Sequence, residues 1–141
     1  MRTLSDKFTL KLEAPPVDDF LLLRTKVGWG ELDLLLAEQS LSNSLFHVTI
    51  YHDNYVVGMG RVVGDGAMYF YVQDVIVDPS YQNQGLGTML MDTIEGYLHY
   101  TAHKGSTIGL FAAQGKEKLY ARYGYIQRPN NTLGNGMCKF I

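Results

Sequence analysis

The sequence has little cysteine, no long apolar run and no block of like charge. Cys138 is the only cysteine among 141 residues, which excludes an internal disulfide and a cysteine-based metal cluster. Residues 1–12 alternate charged and apolar side chains, a pattern that predicts neither a signal peptide nor a membrane span. The net charge of -2 gives no general attraction for nucleic acid or anionic membranes. We therefore expect a cytoplasmic protein without a metal, nucleic-acid or membrane partner.

The hydrophobic pattern favours one domain covering residues 1–141. No repeat or Ser/Pro-rich linker interrupts the chain, and its length suits a single core. The alternating or β-branched runs predict strands at 8–12, 46–52, 55–63, 68–77, 107–111, 125–127 and 137–141. Helical spacing predicts helices at 17–27, 31–42, 85–102 and 116–123. This order predicts an α/β (α+β) fold with a mixed sheet of six to seven strands, flanked by about four helices.

A glycine-rich loop before the long predicted helix carries the strongest functional signal. The preceding strand ends near Pro79, and Gly85 and Gly87 stand where the helix begins. Glycine leaves room for a ligand beside the backbone, and the first amide hydrogens of a helix have no intrahelical partner. Such amides bind phosphate oxygens, so the segment predicts a pyrophosphate site. The alternative is a glycine required only by the backbone of a helix start.

Two better-known nucleotide motifs do not match this loop. A dinucleotide fingerprint needs a small residue where this chain has Leu90, and it needs its glycines directly after the strand. A P-loop needs Gly-Lys-Ser or Gly-Lys-Thr, and the sequence contains neither. Both interpretations are excluded.

The loop resembles a different family. Its hexapeptide Gln82-Asn-Gln-Gly-Leu-Gly87 matches the Gln/Arg-x-x-Gly-x-Gly/Ala signature of the GNAT N-acetyltransferase superfamily. A Val-x-Val-x-Pro strand end precedes it, and Leu119-Tyr-Ala-Arg-Tyr-Gly-Tyr125 resembles the aromatic element that the family carries in a later helix. The resemblance covers residues 46–125 and implies a mostly antiparallel central sheet, a homodimer and acetyl-CoA as the acyl donor.

The resemblance also implies where coenzyme A binds. Main-chain amides of Val75, Ile76 and Val77 are expected to pair with the pantetheine arm. Lys116 is a candidate for the 3′-phosphate, although a solvated surface lysine is the usual alternative. Family members often carry asparagine seven residues before the tyrosine, where this chain has Ala113; either that contact is lost or Gln114 makes it. The residues expected at the pyrophosphate are Gln82, Asn83, Gln84, Gly85, Leu86, Gly87 and Thr88.

The catalytic candidates are Tyr120 and Asp74. Tyr120 occupies the position of the family's general acid, and a phenol with a pKa of about 10 can protonate a leaving thiolate. Asp74 lies on a mainly apolar strand, where a carboxylate is costly unless it is paired or functional. It is either the general base, acting directly or through water, or a residue held in a salt bridge or turn contact. Tyr71, Gln73 and Trp29 are candidates for acceptor binding, with sheet packing and loop anchoring as the alternatives.

These observations predict an enzyme that moves the acetyl group of acetyl-CoA to a primary amine of a small molecule by direct attack. Residues 1–102 hold 6 Lys and Arg against 13 Asp and Glu, which suits a cationic acceptor such as a polyamine, an aromatic amine or an aminoglycoside. A protein or peptide acceptor and a non-catalytic CoA sensor are the alternatives.

Overall fold

The computed structural model describes residues 4–141. The chain divides into two compact units, the first ending at Leu110 and the second beginning at Phe111. A single domain over residues 1–141 stays a prediction, and each unit is described by itself. The first unit contains the strands β1 (Phe8–Lys11), β2 (Phe46–His52), β3 (Tyr55–Gly64), β4 (Tyr69–Val77) and β5 (Thr107–Gly109). Its helices are α1 (Val17–Lys26), α2 (Leu34–Ser42) and α3 (Leu86–Thr101), with a single 3₁₀ turn at Pro79–Tyr81.

The five strands form one sheet in chain order. The pairs from β1 to β4 are antiparallel and β5 lies parallel to β4. Asp53, at φ 55°, turns the β2–β3 hairpin. In the β3–β4 connection, the Asp65 carboxylate accepts hydrogen bonds from the backbone N–H groups of Ala67, Met68 and Tyr69. The predicted mixed, mostly antiparallel sheet flanked by helices is confirmed; β2 has the predicted bounds, and the boundaries of the other elements differ by at most three residues.

Helices α1 and α2 cover one face of the sheet. Their periodic apolar side chains pack with side chains of β3 and β4 in one buried cluster of Phe20, Leu23, Ala37, Leu41, Val56, Met59 and Ile76. Helix α2 begins at Leu34, three residues later than predicted, because the Asp33 carboxylate accepts from the N–H of Leu36 and caps the helix there.

Helix α3 covers the opposite face, where two glycines of β3 allow a close approach. A Cβ atom on Gly60 would lie 2.9 Å from Cδ1 of Ile94, and one on Gly58 would lie 3.5 Å from Cδ1 of Leu90. Both helix side chains are 0% exposed. The absent side chains of β3 therefore make room for the buried stripe of α3.

The second unit, Phe111–Ile141, contains helix α4 (Glu117–Ala121), which is shorter than the predicted 116–123. The two predicted strands at 125–127 and 137–141 are wrong, so the described residues form five strands rather than six or seven. Side chains from the last predicted strand are largely exposed, with Met137 at 89% and Phe140 at 93%. Local bonds turn the chain between these two segments: Nε of Arg128 donates to the Gly134 carbonyl, and the Leu133 N–H donates to the Asn130 side chain. A segment with alternating apolar and polar side chains forms a strand only where a neighbouring strand pairs with its backbone N–H and C=O groups.

Two helical leucines test the assignment of the α3 core. Leu90 is 0% exposed and Leu35, on α2, is 70% exposed. Leu90→Ala should lower the free energy of unfolding by about 2–5 kcal/mol, because it removes buried methyl groups and leaves a cavity. The same change at Leu35 should cost less than about 0.5 kcal/mol. Urea unfolding measures both, and equal losses would contradict the assigned core.

Candidate functional site

A β-bulge interrupts β4 beside Asp74. Met59 pairs with Ile76 and Arg61 pairs with Gln73, so Gly60 alone faces the two residues Asp74 and Val75. Asp74 adopts φ 56°, a left-handed conformation that few residues other than glycine accept. The extra residue interrupts the alternation of side chains between the two faces of the strand. The side chains of the consecutive residues Gln73 and Asp74 therefore form a hydrogen bond of 3.3 Å.

Beyond the bulge, β4 has an open edge. Strand β5 pairs only with Tyr69, Phe70 and Tyr71, whereas β4 continues to Val77. Among the strands in the described residues 4–141, none pairs with this edge from Val72 to Val77. An extended ligand can therefore add to the sheet there as another strand would. The three residues expected beside pantetheine, Val75, Ile76 and Val77, all lie on this stretch.

The turn after β4 is fixed by Asp78. Its backbone N–H donates to the Val57 carbonyl at 2.8 Å, and its carboxylate accepts from the N–H of Ser80 at 2.9 Å and from Nζ of Lys26 at 2.7 Å. Burial opposes ionisation of this carboxyl, but the bonds from Lys26 and Ser80 outweigh burial and hold the pKa of Asp78 below its ordinary value. The ion pair ties α1 to the end of β4.

A second anchor precedes the glycine-rich loop. The Tyr81 hydroxyl lies 2.6 Å from Nδ1 of His52 on β2, and both rings meet the ring of Phe8 edge to face. Sequence reasoning missed this anchor, because its members come from three separated segments. The loop thus leaves the sheet from a fixed point.

The loop itself, which we call the cradle (Gln82–Thr88), leads from the 3₁₀ turn into the first turn of α3. Asn83 and Gly85 adopt φ 63° and 82°. Gly85 is the N-cap of α3 and gives no side-chain capping bond, and the first helical bond runs from Met89 N–H to the Gly85 carbonyl. Leu86 is only 2% exposed, so its side chain anchors this loop in the core, whereas Gln82 to Gly85 are exposed.

The cradle and the open edge are neighbours. Nε2 of Gln82 donates to the Val77 carbonyl at 3.4 Å, and a Cβ on Gly87 would lie 3.9 Å from Cγ2 of Val77. The first turn of α3 therefore begins beside the end of β4. The loop expected to bind the diphosphate and the strand edge expected to bind pantetheine are therefore adjacent in the first unit.

Asp74 is clamped between two arginines, in what we call the arginine clamp (Arg24, Arg61 and Asp74). Nη1 of Arg24 lies 2.5 Å from one carboxylate oxygen, and Nε of Arg61 lies 2.8 Å from the other. The Asp74 side chain is 1% exposed. With a guanidinium on each oxygen, the geometry favours the ion-pair alternative, and the role of Asp74 as general base stays a prediction.

The acceptor candidates border the clamp to different degrees. Trp29 is 39% exposed, and its ring faces the Arg24 guanidinium at 5.1 Å from the ring centroid. Gln73 is half-buried and donates to Asp74. Tyr71 is half-buried and lies opposite Val63, within the stretch of β4 that β5 covers. The structure thus brings Trp29 and Gln73 to the clamp.

The second unit holds Tyr120, Gln114 and Lys116. Tyr120 is half-buried on α4, its ring 6.3 Å from that of Tyr125 at an edge-to-face angle. Burial raises the pKa of Tyr120 above 10.0, so the phenol stays protonated at neutral pH. Lys116 precedes the helix and Gln114 is exposed beside it.

Comparison with known proteins identifies the family. The family model of the acetyltransferase (GNAT) domain matches residues 33–140 of this chain. The chain belongs to the GNAT acetyltransferase family. Two solved GNAT-like structures cover nearly the whole chain: a probable acetyltransferase from meticillin-resistant Staphylococcus aureus, at 31% identity and TM-score 0.86 over 94% of this chain and 99% of that one, and a GNAT family acetyltransferase from Streptococcus pneumoniae, at 32% and 0.75 over 95% and 98%.

Curated relatives of this GNAT chain are longer. It is 30% identical to the uncharacterised N-acetyltransferase ycf52 of Gracilaria tenuistipitata var. liui, across 77% of this chain and 60% of that protein. It is 29% identical to the histone acetyltransferase TAP1 of Glycine max, across 84% and 55%. The chain therefore spans a little over half the length of these relatives.

None of the helices within residues 4–141 has the length and apolar character needed to cross a membrane. The same residues contain no group of three or more His, Cys, Asp or Glu side chains placed to hold a metal ion. Cys138 is exposed.

Asp78→Asn tests the tether between α1 and β4. Asparagine keeps an oxygen for Ser80 but loses the charge that binds Lys26, so stability should fall by about 1 kcal/mol at pH 7, a modest value because Lys26 is 43% exposed. A carboxyl with a lowered pKa stabilises the fold above its unfolded pKa and loses that contribution as the pH falls through its folded pKa. The deficit should therefore shrink below pH 3.8.

Lys26→Met provides the control for this tether. It should cause a similar loss at pH 7, and the double variant should add little, because both changes remove one interaction. Thermal unfolding between about pH 3 and about pH 7 measures the stability of the wild type, both single variants and the double variant. Fully additive losses would contradict the tether.

Proposed function

We propose that the chain is an acetyl-CoA-dependent N-acetyltransferase that acetylates the primary amine of a small molecule by direct attack in a ternary complex. One observation carries this proposal: helix α3, whose N-cap Gly85 has no side chain to cap it, begins beside the open edge of β4. A diphosphate and an extended amide-bearing arm need those two features in that order. The family supports acetyl transfer, and the acceptor is our own inference.

The residues of the cradle fit the diphosphate of coenzyme A. Asn83 and Gly85 adopt the left-handed conformation that occurs in anion-binding nests, where main-chain amides converge on one ligand. The N-terminal end of the α3 dipole adds partial positive charge. No Asp or Glu occurs from Pro79 to Met91, so no carboxylate of this segment opposes the anion.

Acetyl-CoA would supply the acetyl thioester. The main chain of Val75, Ile76 and Val77 would hold the arm, and Gln82 to Thr88 would hold the diphosphate. Gln114 and Lys116 remain proposed contacts of the second unit, with Lys116 offering a cation to a phosphate.

Tyr120 is proposed as the general acid, and its burial supports this role. A phenol whose pKa is raised stays protonated over the neutral range and can give its proton to a departing thiolate. For the incoming amine, the ion pairs of Asp74 favour deprotonation by water. Direct proton acceptance by Asp74 would require one guanidinium to leave it.

A matched pair of glutamate substitutions tests the cradle. Gly87 lies in the first turn of α3, and Gly96 lies on the exposed side of the same helix with no atom within 4 Å of an added Cβ. Gly87→Glu should leave stability unchanged or raise it, since a carboxylate suits a helix N-terminus. It should nevertheless weaken CoA binding at least about tenfold through repulsion of the diphosphate.

Gly96→Glu makes the same chemical change about three turns further along and should bind CoA like the wild type. Isothermal titration calorimetry gives both dissociation constants, and thermal unfolding reports the fold. Equal affinity in the two variants, or no CoA binding by the wild type, would remove the basis of the proposed function.

Tyr120→Phe tests the acid. We expect kcat to fall by about a hundredfold with little change in CoA affinity. The rate of the wild-type protein should fall at alkaline pH only above the ordinary tyrosine pKa of 10.0, because the Tyr120 phenol keeps its proton to higher pH. Tyr125→Phe keeps the neighbouring ring and removes a different hydroxyl, so its kcat should change little. An unaltered rate in Tyr120→Phe would exclude the role.

A protein acceptor is the second candidate, supported by the named activity of the Glycine max relative. Acetyl-CoA consumption across small amines and lysine-containing peptides separates the two classes. Binding of CoA without turnover of any acceptor would favour the sensor interpretation. Cytoplasmic residence and a homodimer are proposed from the sequence, and light scattering measures the latter.

A further inference from the structure

The arginine clamp carries more positive than negative charge. Arg24 and Arg61 share the single carboxylate of Asp74, and their side chains are only 15% and 10% exposed. Their net charge is therefore about +1, since guanidinium does not lose its proton in proteins. A buried charge without a full partner is costly, so the surplus requires an explanation.

The two arginines differ in how completely they are bonded. Nη1 of Arg61 donates to the Ser40 carbonyl, the Ser40 hydroxyl and the Ser44 hydroxyl, in addition to the bond from its Nε to Asp74. Within residues 4–141, Nε of Arg24 is buried and has no hydrogen-bond partner. A lone buried donor is uncommon in native proteins. Arg24 thus has bonding capacity that the fold leaves unused.

Arg24 also lies where an acceptor would approach. Its carboxylate partner Asp74 belongs to the bulge, directly before Val75 on the open edge of β4. The exposed Trp29 ring faces the guanidinium and provides an apolar surface beside a cation, an arrangement that binds ligands with both characters.

We propose that Arg24 binds an anionic group of the acceptor, so that the preferred acceptor is a small primary amine that also carries a carboxylate or a phosphate. This inference rests on the proposed acetyltransferase function and narrows its substrate. Guanidinium offers paired N–H donors to either group. The overall acidic excess of residues 1–102 favours a cation, but charges close to the ligand count for more than distant, screened ones.

Trp29 provides a direct probe, because it is the only tryptophan in the sequence. With the cradle saturated by CoA, titration with inorganic phosphate or with acetate should change the Trp29 fluorescence at millimolar concentrations. Arg24→Lys keeps a cation beside Asp74 but loses the paired donors, and should need at least about tenfold more anion. Lys104→Gln removes an exposed positive charge elsewhere and should respond like the wild type.

Matched acceptors extend the test without any variant. Phenylalanine is compared with phenethylamine, and phosphoethanolamine with ethanolamine, by kcat/KM. We expect the anionic member to be preferred at least about tenfold in one pair, and that pair identifies carboxylate or phosphate. A fluorescence change that is absent from the wild type or equal in Arg24→Lys overturns the proposal. Neutral members that match or exceed their anionic partners in both pairs, or no turnover of either pair, overturn it as well.

Gly87→Glu separates this proposal from the one on which it rests. Without CoA, its Trp29 signal should still respond to acetate, because the change lies in the cradle and not at Arg24. Wild-type protein that binds no CoA but shows the Arg24-dependent response would remove the transferase proposal and leave an anion site. Normal CoA binding without that response would remove only the anion site.

Discussion

The double ion pair on Asp74 is the interaction on which the rest of the first unit depends. Asp74 adopts a left-handed backbone conformation that costs free energy outside glycine, and two guanidiniums hold its carboxylate at that place. The resulting bulge changes the phase of β4. Beyond it, Val75 to Val77 continue past the reach of β5, and the strand leads into the turn that carries the cradle. Fixing one residue therefore aligns the edge and the loop.

The sequence predicted those parts of the fold whose determinants are local. Residues 46–52 and 69–77 are rich in β-branched and aromatic side chains and lie in strands, and Gly85 stands at the start of a helix. Residues 125–127 and 137–141 have similar composition, yet their local pattern does not reveal whether a partner strand exists. Among the described residues, no strand pairs with either segment.

The same distinction separates the predicted site from the part that was missed. The cradle is one continuous segment, so its glycines and polar residues could be read directly. Arg24 and Asp74 are separated by 50 positions, and the fold alone brings them together. Nothing at either residue in the sequence indicates the other. The carboxylate could be recognised as unusual, but choosing between a base and an ion pair required the geometry.

The last turn of helix α1 forms ion pairs with both ends of the segment from Asp74 to Asp78. Arg24 holds Asp74 and Lys26 holds Asp78, from two positions separated by one residue. Displacement of the helix terminus would loosen both attachments at once. Under the proposed assignment of the acceptor site to Arg24 and of the donor to the loop after Asp78, any affinity that one ligand gains through this helix is returned in equal measure to the other.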